Sequence, residues 1–473
     1  MNQESVRVGL RFDPMGGGQF KQAVQQIIEA ESQPIKQLQA RKAQEDTRLK
    51  LFQEFKTKFQ GLDKALGELS SFRSFRELKA DLGDGSALAS VTIDKDKASP
   101  GNYQVEINQL AARSSSISNG HASPDTPSMG QGFITLETPD GDSREVYVDE
   151  KNSSLRGIAN QINNQADFPV RASVVQDVSD KDKSWKLILT AKNEGAANQI
   201  SFPEFYFLDG DEDFYMDDNH EAQNAKIKVD GFEIEAPNNG IQDFLPGVNL
   251  NLKQAKDGQP ITLSITEDFQ KISGKVKNFV DKANEILGFI TKQNSVDDKS
   301  DTRTSFAGDT GLQNVEFRLR NLLQEGFPVY AEGKDDPKVY VLSDFGIEFD
   351  KSGQLNFKED KFQKFMEKNF ESLSQVFTGD QGLATQMKVM LSGYTTPGVG
   401  MLAQREQSMR NRIKQIDTDI DNKSRMLDRR QQTLTEQFSR LEASLSAMQK
   451  QQQYLSSALP SGGGGGLMSL LGG

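Results

Sequence analysis

The sequence predicts an α+β multidomain fold in which long terminal helices form a coiled-coil-like leg and a β-rich middle forms a head. Three observations support it: an apolar heptad repeat near the C-terminus, a second heptad seam near the N-terminus, and period-two alternation between them. The order along the chain is helix, β, β, helix, helix. We therefore expect the two ends to pack together and the β domains to be inserted between them.

The C-terminal repeat is strictly periodic. Seven apolar residues follow one another at intervals of seven: Ile413, Ile420, Leu427, Leu434, Leu441, Met448 and Leu455. Because an α-helix turns once every ~3.6 residues, this spacing predicts a left-handed wrap around a partner. A heptad seam needs a second apolar position in each repeat, and in this helix that position is mostly polar after Ile416. Phe438 and Leu445 fill only part of the gap. So narrow a stripe holds a helix poorly, which predicts that another surface completes it.

The N-terminal seam has a complete part and an interrupted part. The complete part alternates spacings of three and four through Phe52, Phe55, Phe59, Leu62, Leu66 and Leu69. The earlier part is broken by Glu31, Pro34, Arg41, Glu45 and Arg48. Since Pro34 supplies no amide hydrogen, we expect it to kink or divide the helix.

Two interpretations of these seams are compatible. An intramolecular coiled-coil hairpin can pair part of their length, and the remainder can face a partner. The candidate contact residues are Phe52, Phe55, Phe59, Leu62, Ile413, Ile420, Leu427, Leu434, Phe438, Leu441, Met448 and Leu455.

Between the seams, alternation and turn residues predict strands and short helices. A turn cluster at residues 99–102 precedes an alternating strand at 103–110, and Asp230-Gly231 predicts a hairpin. Other predicted strands are 170–178, 185–190, 225–229, 232–236 and the alternating pair 248–252 and 261–266, with a hairpin within 345–357. The predicted helices are 155–163, capped by Ser153 or Ser154, one from Phe269 to about Ile290, 312–323 and 361–377.

These elements group into four predicted domains. Residues 1–45 and 400–473 form terminal helical segments that we expect to be flexible until assembly, and residues 46–80 and 268–399 form a helical leg domain. The two β-rich head domains comprise residues 81–125 with 224–267, and the inserted residues 126–223.

Composition excludes several function classes. The chain has 473 residues, a net charge of −12 and no cysteine. An acidic chain without basic stripes is a poor match for nucleic acid. The absence of cysteine excludes disulfides, thiolate chemistry and cysteine-based metal sites.

Targeting signals are equally informative. Residues 1–12 contain no apolar core of a signal peptide, and no stretch approaches the ~20 apolar residues of a membrane span. We expect a chain that is cytoplasmic, or exported without a cleavable signal, and not inserted in a membrane. The glycine-rich tail, residues 462–471, is interpreted as a disordered tail, with a hydrophobic docking peptide as the alternative.

Catalytic and ligand-binding signals are weak. The two histidines, His121 and His220, lie in polar stretches and are expected to be solvated. The acidic run 204–218 has a calcium-like spacing at Asp209, Asp211 and Asp213, but Phe214 replaces the required glycine. We interpret the run as a solvated acidic loop, with a weak cation site or an aromatic contact patch as alternatives. Phosphate-loop, hydrolase and zinc motifs are absent, so we expect no cofactor and no enzyme activity.

Several segments, in order, resemble the flagellar filament cap family, also called hook-associated protein 2. They run from about residue 20 to residue 455: Ile27 to Ile35 with its long helix, Ala98-Ser99-Pro100-Gly101-Asn102-Tyr103, the 155–200 module, Val229-Asp230-Gly231 with Leu245-Pro246-Gly247, Gly346-Ile347, Val376-Phe377-Thr378-Gly379 and Gly382-Leu383. Residues 11–15, the acidic run and the glycine-rich tail depart from the family pattern.

The resemblance implies a structural protein secreted without a cleavable signal to the filament tip. It implies a ring-like homo-oligomer that receives exported flagellin and helps it fold and insert. Hook-associated proteins, and an export chaperone on the C-terminal helix, are further implied partners, and adhesion by the tip stays open. The alternatives are another axial or junction protein of the flagellum, a coiled-coil adhesin or other scaffold, and an enzyme.

Overall fold

The computed structural model describes residues 19–138, 141–295, 304–330 and 336–458, without the side chains of residues 19, 20, 203, 204 and 458. Its helices are α1 Gln19–Leu69, α2 Phe72–Phe75, α3 Leu155–Asn164, α4 Phe269–Asn294, α5 Thr310–Gln324, α6 Glu359–Thr378, α7 Leu383–Thr395 and α8 Met401–Ala458. The glycine-rich tail lies outside the described residues.

The strands occupy the middle of the chain and two short hairpins after α5. They are β1 Leu78–Asp81, β2 Ala89–Ile93, β3 Gly101–Gln109, β4 Ser115–Ser118, β5 Gln131–Glu137, β6 Ser143–Val148, β7 Val170–Gln176, β8 Trp185–Ala191, β9 Ser201–Leu208, β10 Met216–His220, β11 Ala225–Val229, β12 Phe232–Ala236, β13 Gly240–Leu245, β14 Val248–Leu252, β15 Ile261–Glu267, β16 Phe327–Val329, β17 Lys338–Tyr340, β18 Ile347–Phe349 and β19 Leu355–Phe357. Helical ends with a β-rich middle confirm the predicted α+β multidomain class.

The chain divides into two compact units. Unit 1 comprises Met1–Glu68, Lys277–Lys358 and Val376–Gly473, and unit 2 comprises Leu69–Val276 and Glu359–Gln375. The finer division into four domains stays a prediction.

In unit 1, Pro34 does not divide α1, which decides one of the two outcomes expected for it, while a kink stays a prediction. The helix runs from Gln19 to Leu69 without division, with Pro34 inside it. Proline removes one hydrogen bond, the one that the carbonyl of Ala30 would accept. Both Pro34 and Ala30 are exposed, so water can satisfy that carbonyl, while Val24 and Ile35 are buried on either side. The helix therefore continues through the proline.

The predicted hairpin within residues 345–357 is confirmed in unit 1 as β18 and β19. Gly353 adopts a positive φ of 79° in its turn, which suits glycine. The side-chain amide of Asn284 on α4 exchanges two hydrogen bonds with the backbone of Leu355, at 2.8 and 2.7 Å. These bonds attach the hairpin to α4.

Unit 2 contains two hydrophobic cores. The first lies between a five-stranded sheet, in the order β1-β15-β3-β11-β12, and a three-stranded sheet, β13-β14-β2. The hairpin predicted at Asp230-Gly231 joins β11 to β12, and both turn residues have positive φ. The alternating segments 248–252 and 261–266 are both strands, but β14 and β15 belong to different sheets.

The second core of unit 2 packs α3 against the sheets β10-β4-β8-β7 and β6-β5-β9. Helix α3 begins as predicted, because the hydroxyl of Ser154 accepts a hydrogen bond from the amide of Gly157 at 3.1 Å. Its buried residues are Leu155, Ile158, Ala159 and Ile162. Period and cap together therefore located this helix correctly from sequence.

Candidate functional site

Four residues of the complete part of the N-terminal seam are buried in unit 1. Phe52, Phe55, Phe59 and Leu62 are at most 1% exposed. Phe55 stacks on Phe289 with ring centroids 5.3 Å apart. Phe52 and Phe59 contact Phe306 and Tyr394 at 6.1 and 5.8 Å. In the folded chain Phe52, Phe55 and Phe59 therefore contact aromatic side chains of the same unit.

The terminal helices α1 and α8 pair antiparallel. Four ion pairs join them: Glu31 with Arg430, Lys42 with Asp417, Glu45 with Arg412, and Lys56 with Glu406, with nitrogen–oxygen distances of 3.5, 2.5, 3.3 and 2.7 Å. Residue numbers rise along α1 as they fall along α8, and each pair sums to roughly 460. This is the intramolecular hairpin that the sequence left open.

These pairs explain the interruptions in the two stripes. Glu31 and Glu45 break the N-terminal seam, and Arg430 occupies a polar position of the C-terminal stripe. In the structure Glu31 faces Arg430, and the buried Glu45 faces Arg412. In the sequence alone, these charged residues are interruptions of the two stripes. The sequence did hold a signal for the pairing: oppositely charged residues of the two helices whose residue numbers add up to a nearly constant value, as antiparallel pairing requires.

Glu406 anchors the start of α8. Its carboxylate accepts hydrogen bonds from Lys56 at 2.7 Å and from Arg410 at 2.7 Å. These bonds lower the pKa of Glu406 to about 2. One residue earlier, Arg405 pairs with Asp309, the N-cap of α5, and lies over the rings of Phe52 and Phe306. The beginning of α8 is therefore fixed to the core of unit 1.

The depressed pKa of Glu406 predicts a specific acid sensitivity. Its folded pKa lies below the unfolded value near 4.3, so its contribution is complete above that value and is lost as the pH falls towards 2. Glu406→Gln should reduce the free energy of unfolding of unit 1 by about 1–2 kcal/mol at pH 7 and by less at pH 3. Urea unfolding followed by helical circular dichroism at both pH values measures this. Glu436→Gln, exposed on the same helix, is the control. An equal loss of unfolding free energy at both pH values contradicts a stabilising role for the ionised Glu406 carboxylate.

The predicted contact residues on α8 become more exposed towards its C-terminal end. Ile413, Ile420 and Leu427 are half-buried, Leu434 is buried and Phe438 is half-buried. Leu441, Met448 and Leu455 are each more than half exposed, and Leu445 is exposed on the same face of the helix. We call these four residues the distal stripe.

The register of the hairpin accounts for this gradient. If pairs continue to sum to roughly 460, Leu441 lies opposite residue 19, where the described part of α1 begins. The 18 residues from Leu441 to Ala458 extend about 26 Å past that point at 1.5 Å per residue. The distal stripe is thus the part of the C-terminal seam that the described part of α1 does not reach.

Comparison with known proteins matches both ends of the chain to one family. The model of the flagellar hook-associated protein 2 N-terminus matches residues 17–114, and that of its C-terminus matches residues 222–450. The chain belongs to the flagellar hook-associated protein 2 family. Residues 115–221 lie outside both family models.

Relatives within the hook-associated protein 2 family extend over nearly the whole chain. The A-type flagellar hook-associated protein 2 of Pseudomonas aeruginosa is 28% identical, over 94% of this chain and 96% of the relative. The B-type protein of strain PAO1 is 27% identical, over 88% and 91%. The crystal structure of the D1-D2-D3 domains of the Escherichia coli flagellar cap protein FliD matches with a TM-score of 0.54 and 21% identity, over 76% of this chain and 99% of that one. That likeness supports the multidomain fold.

Within this family member the structure corrects the expectation for His121. Its side chain is 1% exposed, not solvated. Nδ1 lies 2.6 Å from a carboxylate oxygen of Glu212, and Nε2 lies 3.3 Å from the side-chain oxygen of Asn119. His220, at the end of β10, is exposed as expected. The polar sequence around His121 concealed its burial because its partner Glu212 is 91 residues away.

The acidic run of this family member is also more ordered than a solvated loop. Residues up to Leu208 form β9 and those from Met216 form β10, while Phe205, Phe207 and Phe214 form an aromatic cluster. The amides of Asp211 and Glu212 donate to the carbonyl of Ser128. This attachment fixes the segment against residue 128, and the described residues contain no group of three or more side chains placed to hold a metal ion. The alternative of a weak calcium site in this run is not tested by this observation and stays a prediction.

Among the helices of the described ranges, none combines the length and apolar character needed to cross a membrane.

Proposed function

We propose that this chain is a structural cap at the distal tip of the bacterial flagellar filament, where it promotes folding and insertion of exported flagellin and prevents flagellin loss. The observation that carries the proposal is the antiparallel pair α1–α8, which leaves the distal stripe exposed in a member of the hook-associated protein 2 family. An exposed apolar line at heptad spacing is suited to packing against another helix.

The distal stripe gives the cap its means of attachment. A partner helix that covers Leu441, Met448 and Leu455 completes the stripe that α1 leaves open. We propose that the filament end supplies that helix, and that further copies of the chain complete a ring-like homo-oligomer. The same stripe is the proposed site for an export chaperone before assembly, and hook-associated proteins are proposed neighbours during growth.

A structural role accounts for the ion pairs of α8 without catalysis. Arg405, Glu406 and Arg412 each pair with a carboxylate or cation of another helix of unit 1 or of α8 itself. Such pairs fix register between helices. We propose that the chain is not an enzyme, needs no cofactor, and reaches the filament tip by export without a cleavable signal.

Deletion of the gene tests the proposed function. Cells without this chain are expected to export flagellin into the medium and to carry few or no filaments, because incoming flagellin is not retained at the tip. Electron microscopy of the cells and immunoblotting of the medium measure both effects. A plasmid copy of the intact chain should restore filaments. Normal-length filaments in the clean deletion contradict the proposal.

A further inference from the structure

Three aromatic side chains form a row across the outer face of the sheet β6-β5-β9. Phe133 of β5 is paired in register with Tyr147 of β6 and Tyr206 of β9, so all three project to the same side. Their side chains are 46%, 51% and 59% exposed, and the rings of Phe133 and Tyr147 have centroids 5.1 Å apart. Leu208, 70% exposed, continues the row on β9 opposite Gln131. We call Phe133, Tyr147, Tyr206 and Leu208 the aromatic platform.

The sheet beneath the aromatic platform holds it firmly. The alternate residues Ile134, Leu136, Val146 and Val148 are fully buried against the second core of unit 2. At Gly132, an added Cβ would lie 1.8 Å from the carbonyl oxygen of Tyr206. Only glycine therefore allows β9 to lie so close to β5 at the platform. The exposed rings are presented on a supported surface, which lowers the entropic cost of binding.

The charged side chains on the same face of the sheet are acidic. Glu137 and Glu145 share the outward side with the aromatic platform, and both are exposed. Glu145 lies two residues from Tyr147 along β6, and Glu137 lies four residues from Phe133 along β5. The outward positions of these strands, within the described residues, carry no lysine or arginine. Anionic ligands are disfavoured here, also because the whole chain carries −12.

We propose that the aromatic platform docks a polypeptide surface that presents lysine or arginine together with aliphatic side chains. Cations are attracted to the faces of tyrosine and phenylalanine, and the flanking carboxylates add an ion pair. Tyrosine is enriched at the energetic centres of protein interfaces. The platform lies within residues 115–221, outside both family models, and the proposed docking goes beyond capping.

A titration with designed peptides tests the inference on the intact chain. The probes are a 12-residue peptide of repeated Arg-Ser-Leu, the matched Glu-Ser-Leu peptide, and the neutral hexasaccharide cellohexaose, each followed by amide NMR shifts. The arginine peptide should bind through β5, β6 and β9, more weakly at high salt, and the glutamate peptide should not. Tyr206→Ser and Glu145→Lys should each weaken binding at least about tenfold.

Phe232→Ser is the matched control, because Phe232 is an exposed aromatic residue on a different sheet. It should leave binding unchanged, and circular dichroism of each variant confirms that the fold is kept. Glu145→Lys retains every ring of the platform, so it tests charge complementarity even if Tyr206→Ser is destabilising. Equal binding of the two peptides, binding of the hexasaccharide alone, or no binding of any probe overturns the proposal.

Discussion

Replacing both Leu441 and Met448 by aspartate is expected to abolish filament capping without unfolding the chain. Both side chains are more than half exposed, so the charges cost little in the free protein. On docking, each lost apolar side chain removes about 1.5–3 kcal/mol, and burying a carboxylate adds a further penalty. Together these terms weaken attachment by more than about a hundredfold. Counting filaments and secreted flagellin in a deletion strain that carries the variant measures the loss.

Two further variants separate docking from folding. Ser439→Asp with Ser446→Asp adds the same charge to exposed positions on the opposite side of α8 and should cap normally. Leu434→Asp instead places a charge at a buried position, one turn from the Arg430–Glu31 pair, and should lower the helical stability of unit 1. Normal capping by the Leu441 and Met448 double variant would show that the distal stripe is not the attachment surface.

Local sequence signals predicted the elements well because their causes are local. Alternation in residues 103–110 identified β3, Asp230-Gly231 identified the β11–β12 hairpin, and Ser154 identified the start of α3. Each depends on residues within one turn or one strand. Strands with weaker alternation, such as β5, β6 and β13, were not predicted, although they complete two of the sheets.

Tertiary partners were beyond the reach of periodicity. The seam at Phe52, Phe55 and Phe59 has the spacing of a partner-binding stripe, yet Phe306, Phe289 and Tyr394 cover it from distant parts of the chain. A heptad pattern shows which face of a helix is apolar, but not whether the same chain covers it. Only the structure therefore reduces the twelve candidate contact residues to those still exposed, Leu441, Met448 and Leu455.

Burial of polar residues was hidden for the same reason. His121 and Glu45 both lie in polar stretches of the sequence, yet both are buried. Their partners, Glu212 and Arg412, are far away in sequence, so no local pattern indicates the burial. Pro34 shows the converse case. A strong local rule predicted a kink or a division, but the helix is not divided, and the exposure of Ala30 leaves room for water to satisfy its carbonyl.

We propose that the described parts of the chain ends, residues 19–45 and 400–458, order fully only on assembly, and the contacts of α8 predict a gradient. Leu402, Met409 and Ile416 are buried, and Arg405 and Glu406 are tied to other helices, so amide exchange should be slow there in the free protein. From Leu441 to Ala458, by contrast, the apolar residues of the distal stripe are exposed. Ordering costs about 1–2 kcal/mol per residue, so an isolated stretch of this kind is marginal in water.

Hydrogen exchange measured by mass spectrometry on the dilute protein, with and without filaments, tests this gradient. Exchange over residues 441–458 should be rapid in the free protein and at least about tenfold slower on filaments. The buried face of α4, from Ile272 to Ile290, serves as an internal control and should be slow in both states. Trypsin should cleave after Arg440 and Lys450 before it cleaves after Arg405. Strong protection of residues 441–458 in the free protein would mean that this part of α8 is already stably formed without filaments. The proposal that it folds on docking would then have to be abandoned.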